Sequence, residues 1–375
     1  MGSNRRRYDR AVTRTSDVAV IGAGIVGLAT ANALRARGAS VHVYESGTPG
    51  AAQSGGDSRV FRHAHEDPRL VDFARESREL YRRWEDQFGV ELVSADGVVS
   101  LGPAARRRLP ALERAGIAVI ELSADELAER MPLLADFDGP AIFDAEGGSI
   151  RAQAAVAALV AGLGESLVLD EVVALWPRGP DAIEVRTAGD RGEHGAAVVC
   201  AGRDTERLAR GAGISIPVEH SLHGRVSFAV RGAAPRRVAC LLDSSEAFGE
   251  PGTYGAPSPG SSVFSLGVGD AARAREDASL LCAPAISAIT DRAANYVRRA
   301  LAGLDPEPVG YRHCWVTTLP WHEDAIGVWE AERTLFAVGG NLFKHAPALG
   351  RALAQAVVGE RLDPGLRPAA RLGAR

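Results

Sequence analysis

The residues with the clearest chemical potential form a glycine-rich segment near the start of the chain. Gly22, Gly24 and Gly27 stand in the run Gly22-Ala23-Gly24-Ile25-Val26-Gly27, a spacing that permits a tight turn and close approach of the backbone to a pyrophosphate. An apolar run precedes this segment, an Ala- and Leu-rich stretch follows it, and Glu45 ends the next apolar run. A carboxylate at that place can accept hydrogen bonds from ribose hydroxyls. The pattern predicts a dinucleotide-binding βαβ unit, and it leaves open whether the dinucleotide is FAD or NAD.

A second chemical signal is a lone lysine near the other end of the chain. Of the 43 lysine and arginine residues, only Lys344 is a lysine. A chain so biased towards arginine is expected to replace a dispensable lysine, so Lys344 is a candidate for a task that the guanidinium group cannot perform. The alternative is that Lys344 is an accidental surface residue.

Composition excludes several other classes of function. The formal net charge of −4 provides no basic field for a nucleic acid. The longest apolar run, residues 154–164, is far shorter than the roughly 20 residues of a membrane-spanning helix, so we expect a cytoplasmic protein without a membrane partner. The four cysteines form no C-x-x-C pair, which fits neither a disulfide framework nor a metal site.

The pattern of predicted strands and helices around these residues indicates an α/β protein with two domains. At 375 residues the chain exceeds the usual size of one domain. We predict a disordered N-terminus over residues 1–15, a Rossmann-type FAD-binding domain over residues 16–100, 147–217 and 310–365, and a mixed-sheet α+β substrate domain over residues 101–146 and 218–309. The last segment repeats a strand, a glycine pair and a helix. Such a helix can direct its N-terminus at a reduced flavin ring and stabilise negative charge there, which favours FAD over NAD.

Three segments of the chain carry a resemblance to a known family. The first is the glycine segment. The second is Gly56-Asp57-Ser58-Arg59-Val60-Phe61-Arg62-His63-Ala64-His65. The third is Cys314-Trp315-Val316-Thr317-Thr318, followed by Gly340-Asn341-Leu342-Phe343-Lys344. With these segments the chain resembles the monomeric sarcosine oxidase and N-methyltryptophan oxidase family, within the D-amino-acid oxidase fold class, in which the second segment lies beside the flavin. The resemblance covers roughly residues 17 to 365.

The resemblance implies roles for several of these residues. Cys314 matches the cysteine that is bonded covalently to the flavin; without the resemblance it reads as a buried free thiol. Arg62 and Lys344 match the pair that grips the substrate carboxylate, although Arg62 can instead be a structural ion-pair partner. His63 is a further catalytic candidate. The remaining cofactor candidates lie beside the flavin segment, on a later strand and after the last strand, and they are Ser58, Arg59, Val172, Gly340, Asn341, Leu342 and Phe343.

Two departures from the family pattern bear on the reaction. Ser265 stands where the family has an oxygen-activating lysine, and no other lysine is available to replace it. Val316 and His65 replace aromatic residues, which indicates a remodelled pocket and argues against sarcosine itself as the substrate.

The resulting hypothesis is an FAD-dependent amine oxidoreductase, a monomer or small homo-oligomer. It oxidises a secondary or cyclic amino acid to an imine and reduces O2 to hydrogen peroxide. The alternatives are a flavin dehydrogenase or desaturase with another electron acceptor, a nicotinamide-dependent dehydrogenase, and a non-catalytic FAD-binding protein.

Overall fold

The computed structural model describes residues 14–269, 272–273 and 283–374. The predicted disorder of residues 1–15 therefore falls outside the described residues, except for 14 and 15, which open the first strand. The strands, numbered β1 to β19, are Arg14–Ile21, Val41–Glu45, Ser58–Phe61, Val98–Leu101, Val119–Glu121, Ala141–Asp144, Gly148–Arg151, Leu167–Leu169, Val172–Pro177, Ile183–Thr187, Arg191–Val199, Glu219–Val230, Cys240–Asp243, Thr253–Pro257, Val263–Gly267, Ala272–Arg273, Leu304–Thr318, Ile326–Ala331 and Thr334–Gly339.

Helices connect and cover these strands. Numbered α1 to α8, they are Ile25–Ala36, Pro68–Phe88, Pro103–Arg114, Ala124–Arg130, Ala152–Ala161, Thr205–Gly211, Ala283–Ala300 and Ala346–Val357. The long helix α2 begins at a Pro after Asp67, whose side chain accepts the backbone N–H of Arg69, and it ends at Gly89 in the left-handed conformation. Both features are standard helix boundaries. Across the described parts of the chain, no helix combines the length and the apolar character that crossing a membrane requires.

The first sheet has a parallel centre in the order β19-β11-β1-β2-β8, with β18 antiparallel at one edge. The hairpin strands β9 and β10 extend it from β11. Helices α1 and α8 pack closely together: a Cβ added to Gly350 would lie 2.7 Å from the Cβ of Ala29. The glycine segment connects the carboxyl end of β1 to the start of α1. This is the edge of a parallel α/β sheet at which ligands bind.

The second sheet is mixed, and its main path runs β16-β12-β15-β14-β13-β4-β6-β5, with β17 paired to β12. Only the β13–β4 pair among its described pairings is parallel. Its apolar face packs with α7 around Phe228, Phe264 and Tyr296. The predicted α/β class with a Rossmann-type unit and a second mixed-sheet unit is confirmed.

Two boundaries differ from the sequence-based expectation. We placed residues 16–100 in the FAD-binding domain, but β4 begins at residue 98 and pairs with β13 and β6 in the second sheet. We placed residues 310–365 in the FAD-binding domain, but residues 310–318 form the end of β17, and Cys314 pairs with His223 in the second sheet. The chain returns to the first sheet at β18. Cys314 and Lys344 therefore approach the same region from different sheets.

Candidate active site

A cavity of about 730 Å³ runs from the glycine segment to Lys344 and is walled by both sheets. It brings together most of the residues that the sequence singled out. Those lining it are Gly22, Gly24, Ile25, Val26, Glu45, Arg59, Arg62, Val172, Cys314, Gly340, Asn341, Leu342, Phe343 and Lys344. Ala23, Gly27, Ser58 and His63 do not line it.

The glycine segment has the geometry of a pyrophosphate cradle. Gly22 has φ +102°, and a Cβ there would lie 2.5 Å from the carbonyl oxygen of Cys200. A Cβ on Gly27 would overlap the carbonyl oxygen of Gly22. Only glycine therefore allows β1 to turn so sharply into α1. The sequence did not single out Ser54, whose hydroxyl accepts the Ile25 N–H at 2.9 Å at the start of this helix.

Glu45 is held at the carboxyl end of β2 by two backbone donors. Its Oε2 accepts the N–H of Ala23 at 2.8 Å, and its Oε1 accepts the N–H of Gly47 at 2.9 Å. Ala23 thus acts through its backbone, away from the cavity wall. Glu45 lines the cavity and is bonded directly to the glycine segment through Ala23, which is the relation that binding of a dinucleotide ribose requires.

Cys314 faces the cavity beside a buried guanidinium. The Nη2 of Arg59 lies 3.8 Å from Cys314 Sγ, and Arg59 also donates to the backbone oxygens of Ser58 and Gly55. Burial, with the nearby charge of Arg225, lowers the pKa of Arg59 to about 10, so the group remains a cation at neutral pH. Cys200 also lines the cavity, but its thiol is buried, and burial raises its pKa to about 12. Within the described residues, Cys314 is thus the cavity cysteine with a cation at its sulfur.

At the other end of the cavity, a buried carboxylate organises the two predicted substrate-binding cations. Asp324 Oδ2 accepts from Arg62 Nη2 at 2.7 Å, and Oδ1 accepts from Lys344 Nζ at 3.2 Å. Asn341 Nδ2 donates to Oδ1 at 2.9 Å, and His65 Nδ1 lies 3.3 Å from Oδ2. Lys344 is only 4% exposed, which excludes the surface-lysine interpretation. Arg62 is both an ion-pair partner and part of the cavity wall.

The charges in this cluster are mutually stabilised. Burial alone would raise the pKa of Asp324, but Lys344 and Arg62 hold it well below its usual value. Burial lowers the pKa of Lys344 to about 8, although Asp324 partly opposes that shift. Burial and Arg62 lower the pKa of His65 to about 3, so this imidazole is neutral. Within the group of Arg62, Lys344 and Asp324, two cations face one carboxylate, which leaves one net positive charge that can receive an anion. Glu323 is a further acidic residue on the cavity wall and acts on Lys344.

His63 is placed differently from its neighbour Arg62. Its ring is fully buried, its Nδ1 lies 2.9 Å from Asp144 Oδ2, and its backbone N–H donates to the same oxygen. The ring packs edge-on against Phe61 at a centroid distance of 5.2 Å. This position supports a role in packing the strand end and does not support the predicted contact with a substrate.

Ser265 also lies off the cavity wall. Its hydroxyl is 2.7 Å from that of Ser227 on the paired strand. Arg225, which the sequence analysis did not single out, does line the cavity, and its guanidinium donates to the backbone oxygens of Ser58 and Ser265. The cation on this face of the second sheet is therefore an arginine held by main-chain oxygens. Ser58 contributes through that bond rather than by lining the cavity.

Sequence reasoning also missed Asp324. Its local signal is a short polar run, His322-Glu323-Asp324, that ends one residue before the buried strand β18. The turn is shaped by Gly340, because a Cβ there would overlap the carbonyl oxygen of Glu323. Close packing of these two turns brings Asp324 to Asn341 and Lys344.

The residues present fit FAD. The cavity joins the glycine cradle and the Glu45 carboxylate to the Cys314 thiol and the cationic site of Arg62 and Lys344. A ligand with a pyrophosphate near the cradle and a ring system between Cys314 and Lys344 would contact both sheets.

Comparison with known proteins agrees with this geometry. The chain is 31% identical over 224 residues to the monomeric sarcosine oxidase of Streptomyces avermitilis, an alignment that covers 56% of this chain and 57% of that relative. Among solved structures, NikD, an unusual amino acid oxidase essential for nikkomycin biosynthesis, matches with a TM-score of 0.81 at 20% identity, covering 97% of this chain and 98% of NikD. The L-proline dehydrogenase of P. horikoshii also matches with a TM-score of 0.81, at 21% identity, covering 95% and 97% of the two chains.

These structural matches confirm the predicted D-amino-acid-oxidase-like fold. The family model described as FAD dependent oxidoreductase matches residues 17–356. This match confirms the family resemblance and sets aside the nicotinamide alternative. The glycine cradle, the Glu45 carboxylate beside it and the family match lead to one conclusion: the chain belongs to the family of FAD-dependent oxidoreductases.

Proposed function

We propose that this protein oxidises the C–N bond of a secondary or cyclic amino acid to an imine. The observation that carries the proposal is the continuity of one cavity from the dinucleotide cradle at Gly22 to the cationic cluster of Arg62 and Lys344. The 31% identity to a sarcosine oxidase supports an amine substrate, and the net positive cluster supports a substrate with a carboxylate.

In the proposed mechanism, Arg62 and Lys344 bind the substrate carboxylate, and Asp324 keeps both cations in position. Bound FAD supplies the capacity to accept two electrons with the hydrogen of the substrate α carbon. The amine must be neutral for that transfer, and its remaining N–H proton leaves as the imine forms. Fixing the carboxylate fixes the α carbon relative to the cofactor, and such positioning lowers the barrier.

The electron acceptor remains part of the proposal. We propose O2, reduced to hydrogen peroxide, with Arg225 as the cavity-lining cation on the sheet face that carries Ser265. A cation at the cavity wall stabilises negative charge that develops there. A dehydrogenase or desaturase that uses another acceptor is the second candidate, favoured by Ser265 at the position of the family lysine. Reoxidation of the reduced protein by air-saturated buffer, compared with a quinone or dye acceptor, separates the two.

We further propose that Cys314 bonds covalently to FAD. Its place on the cavity wall and the Arg59 cation 3.8 Å from its sulfur support this proposal. Acid precipitation should leave the yellow colour in the pellet of the unmodified protein and release it from Cys314→Ser. Cys240→Ala, at a buried cysteine outside the cavity, is the matched control and should retain the colour. Release of colour from the unmodified protein would disprove the covalent bond.

The decisive test of the reaction is anaerobic addition of secondary, cyclic and N-methyl amino acids to the purified flavoprotein. We expect one class to bleach the flavin absorbance, and we expect its decarboxylated analogue to act far more weakly. If no amine of these classes bleaches the flavin, the proposed reaction is wrong and the non-catalytic alternative stands. A cytoplasmic monomer or small homo-oligomer remains our expectation for its setting.

A further inference from the structure

A third cation reaches the cationic end of the cavity from the second domain. Arg108 lies in the middle of α3 and lines the same cavity as Arg62 and Lys344. Its side chain is 21% exposed, so it is neither a free surface arginine nor sealed in the core. Burial and the neighbouring charge of Arg62 lower its pKa, which indicates that the two guanidinium groups share one environment.

Arg108 makes fewer hydrogen bonds within the protein than Arg62 and Arg225 do. Arg62 donates to Asp324 and to the Ala64 oxygen, and Arg225 donates to the oxygens of Ser58 and Ser265. Arg108 has a contact of 3.7 Å with the carboxylate of Glu66, longer than a hydrogen bond. Its Nε is buried without an acceptor among the described residues. Guanidinium groups with unmet donors favour a planar anion such as a carboxylate.

The cavity wall that the second sheet provides is partly polar. The hydroxyl-bearing residues Ser100, Ser244 and Thr253 line it. Asp243 also lines it, but its Oδ1 accepts from Ser245 and its Oδ2 accepts from Tyr296, both at hydrogen-bond distance. The hydroxyls of Ser244 and Thr253 donate to the backbone oxygens of Leu101 and Glu250 and need no partner from the substrate. A purely apolar amino-acid side chain would, however, leave the Arg108 guanidinium without a hydrogen-bond acceptor, and unpaired polar groups oppose binding.

We infer that Arg108 binds a second carboxylate of the substrate, so that the preferred amino acid carries an acidic group in addition to its α-carboxylate. This inference rests on the proposed function and narrows its substrate class. Arg62 and Lys344 hold the first carboxylate, and α3 supplies the cation for the second. Specificity then depends on a residue outside the dinucleotide-binding domain.

The test measures binding by calorimetry with inert acids on the flavin-loaded protein. Butanoate is the monocarboxylate, and malonate, succinate and glutarate are the dicarboxylates. At least one dicarboxylate should bind about ten- to a hundredfold more tightly than butanoate, the range expected for a hydrogen bond to a charged group. Arg108→Gln should remove that advantage and leave butanoate unchanged. Arg108→Lys should restore part of it.

Arg106→Gln is the matched control, because Arg106 lies on the same helix but pairs with Glu121 at an exposed position. It should bind every acid as the unmodified protein does. Equal binding of mono- and dicarboxylates, no dicarboxylate binding, or an equal loss of both in Arg108→Gln would overturn the inference. Flavin bleaching tests the two proposals separately. If neutral amino acids reduce the flavin as well as acidic ones do, the proposed role of Arg108 is wrong and the proposed reaction stands. If the protein binds dicarboxylates selectively but no amino acid reduces the flavin, the proposed reaction is wrong and the role of Arg108 in binding stands.

Discussion

Asp324 holds Arg62 through an ion pair of 2.7 Å, although 262 positions separate the two residues in the sequence. The same carboxylate bonds Lys344, so the two proposed substrate-binding cations share one counter-ion. Without it, two buried positive charges would face each other. Asp324 is therefore a positioning residue, and its removal should affect stability as well as binding.

We expect Asp324→Asn to lower the free energy of unfolding by about 3 to 5 kcal/mol, the range for breaking one partner of a buried ion pair. Chemical denaturation followed by circular dichroism measures the change. Glu121→Gln removes the exposed partner of Arg106 and should cost about 1 kcal/mol or less. Equal effects of the two variants would contradict the central role of Asp324.

Carboxylate binding should weaken as the pH rises through about 8, the pKa of Lys344. The protonated lysine attracts the anion, and deprotonation above that pH removes one of its two cations. By pH 9 the dissociation constant of butanoate should rise by up to about tenfold, since one pH unit corresponds to a tenfold change in protonation. The measurement is a calorimetric titration from pH 6.5 to 9.5. Lys344→Arg should bind with no break in this range, and a break that persists in that variant would assign the titration to another group.

Gly340→Ala should damage the cationic cluster from a distance. The new Cβ would overlap the carbonyl oxygen of Glu323, so the turn that carries Asp324 must move. We expect weaker butanoate binding by at least about tenfold, because even small displacements of positioned charges are costly. Gly211→Ala, where a Cβ has no neighbour within 4 Å, is the control. If both variants bind alike, the turn contact does not position Asp324.

His63→Leu should act on stability rather than on substrate binding. Loss of the buried bond to Asp144 should cost about 1 to 3 kcal/mol of unfolding free energy. The rate of flavin reduction by a bleaching amine should stay within a factor of about two, because the ring does not line the cavity. A large fall in that rate at unchanged stability would restore the catalytic role that the sequence predicted.

The outcome for individual residues shows what sequence can predict here. The glycine segment and Glu45 are joined by local geometry, since a short strand, a turn and a helix fix their distance. Lys344 could be recognised from the sequence because it is the only lysine in the chain. Asp324 was not, because its neighbours come from distant segments that only the packing of two turns brings together. His63 was misplaced for a simpler reason: Phe61 and His63 share the buried side of the segment, whereas Val60 and Arg62 line the cavity.

The burial of the sole lysine has a practical consequence for protein chemistry. Apart from the α-amino group, every amine-directed reagent has a single side-chain target in this chain, and that target lies inside the cavity. Because burial lowers the pKa of Lys344 to about 8, a larger fraction of this amine is unprotonated near neutral pH than of an ordinary lysine. Slow acylation of this one position, and its protection by a bound acid, would give a stoichiometric read-out of site occupancy by intact-mass measurement. Because every other basic residue of this kind is an arginine, acylation of the lysine side chain would report directly whether the cavity is occupied.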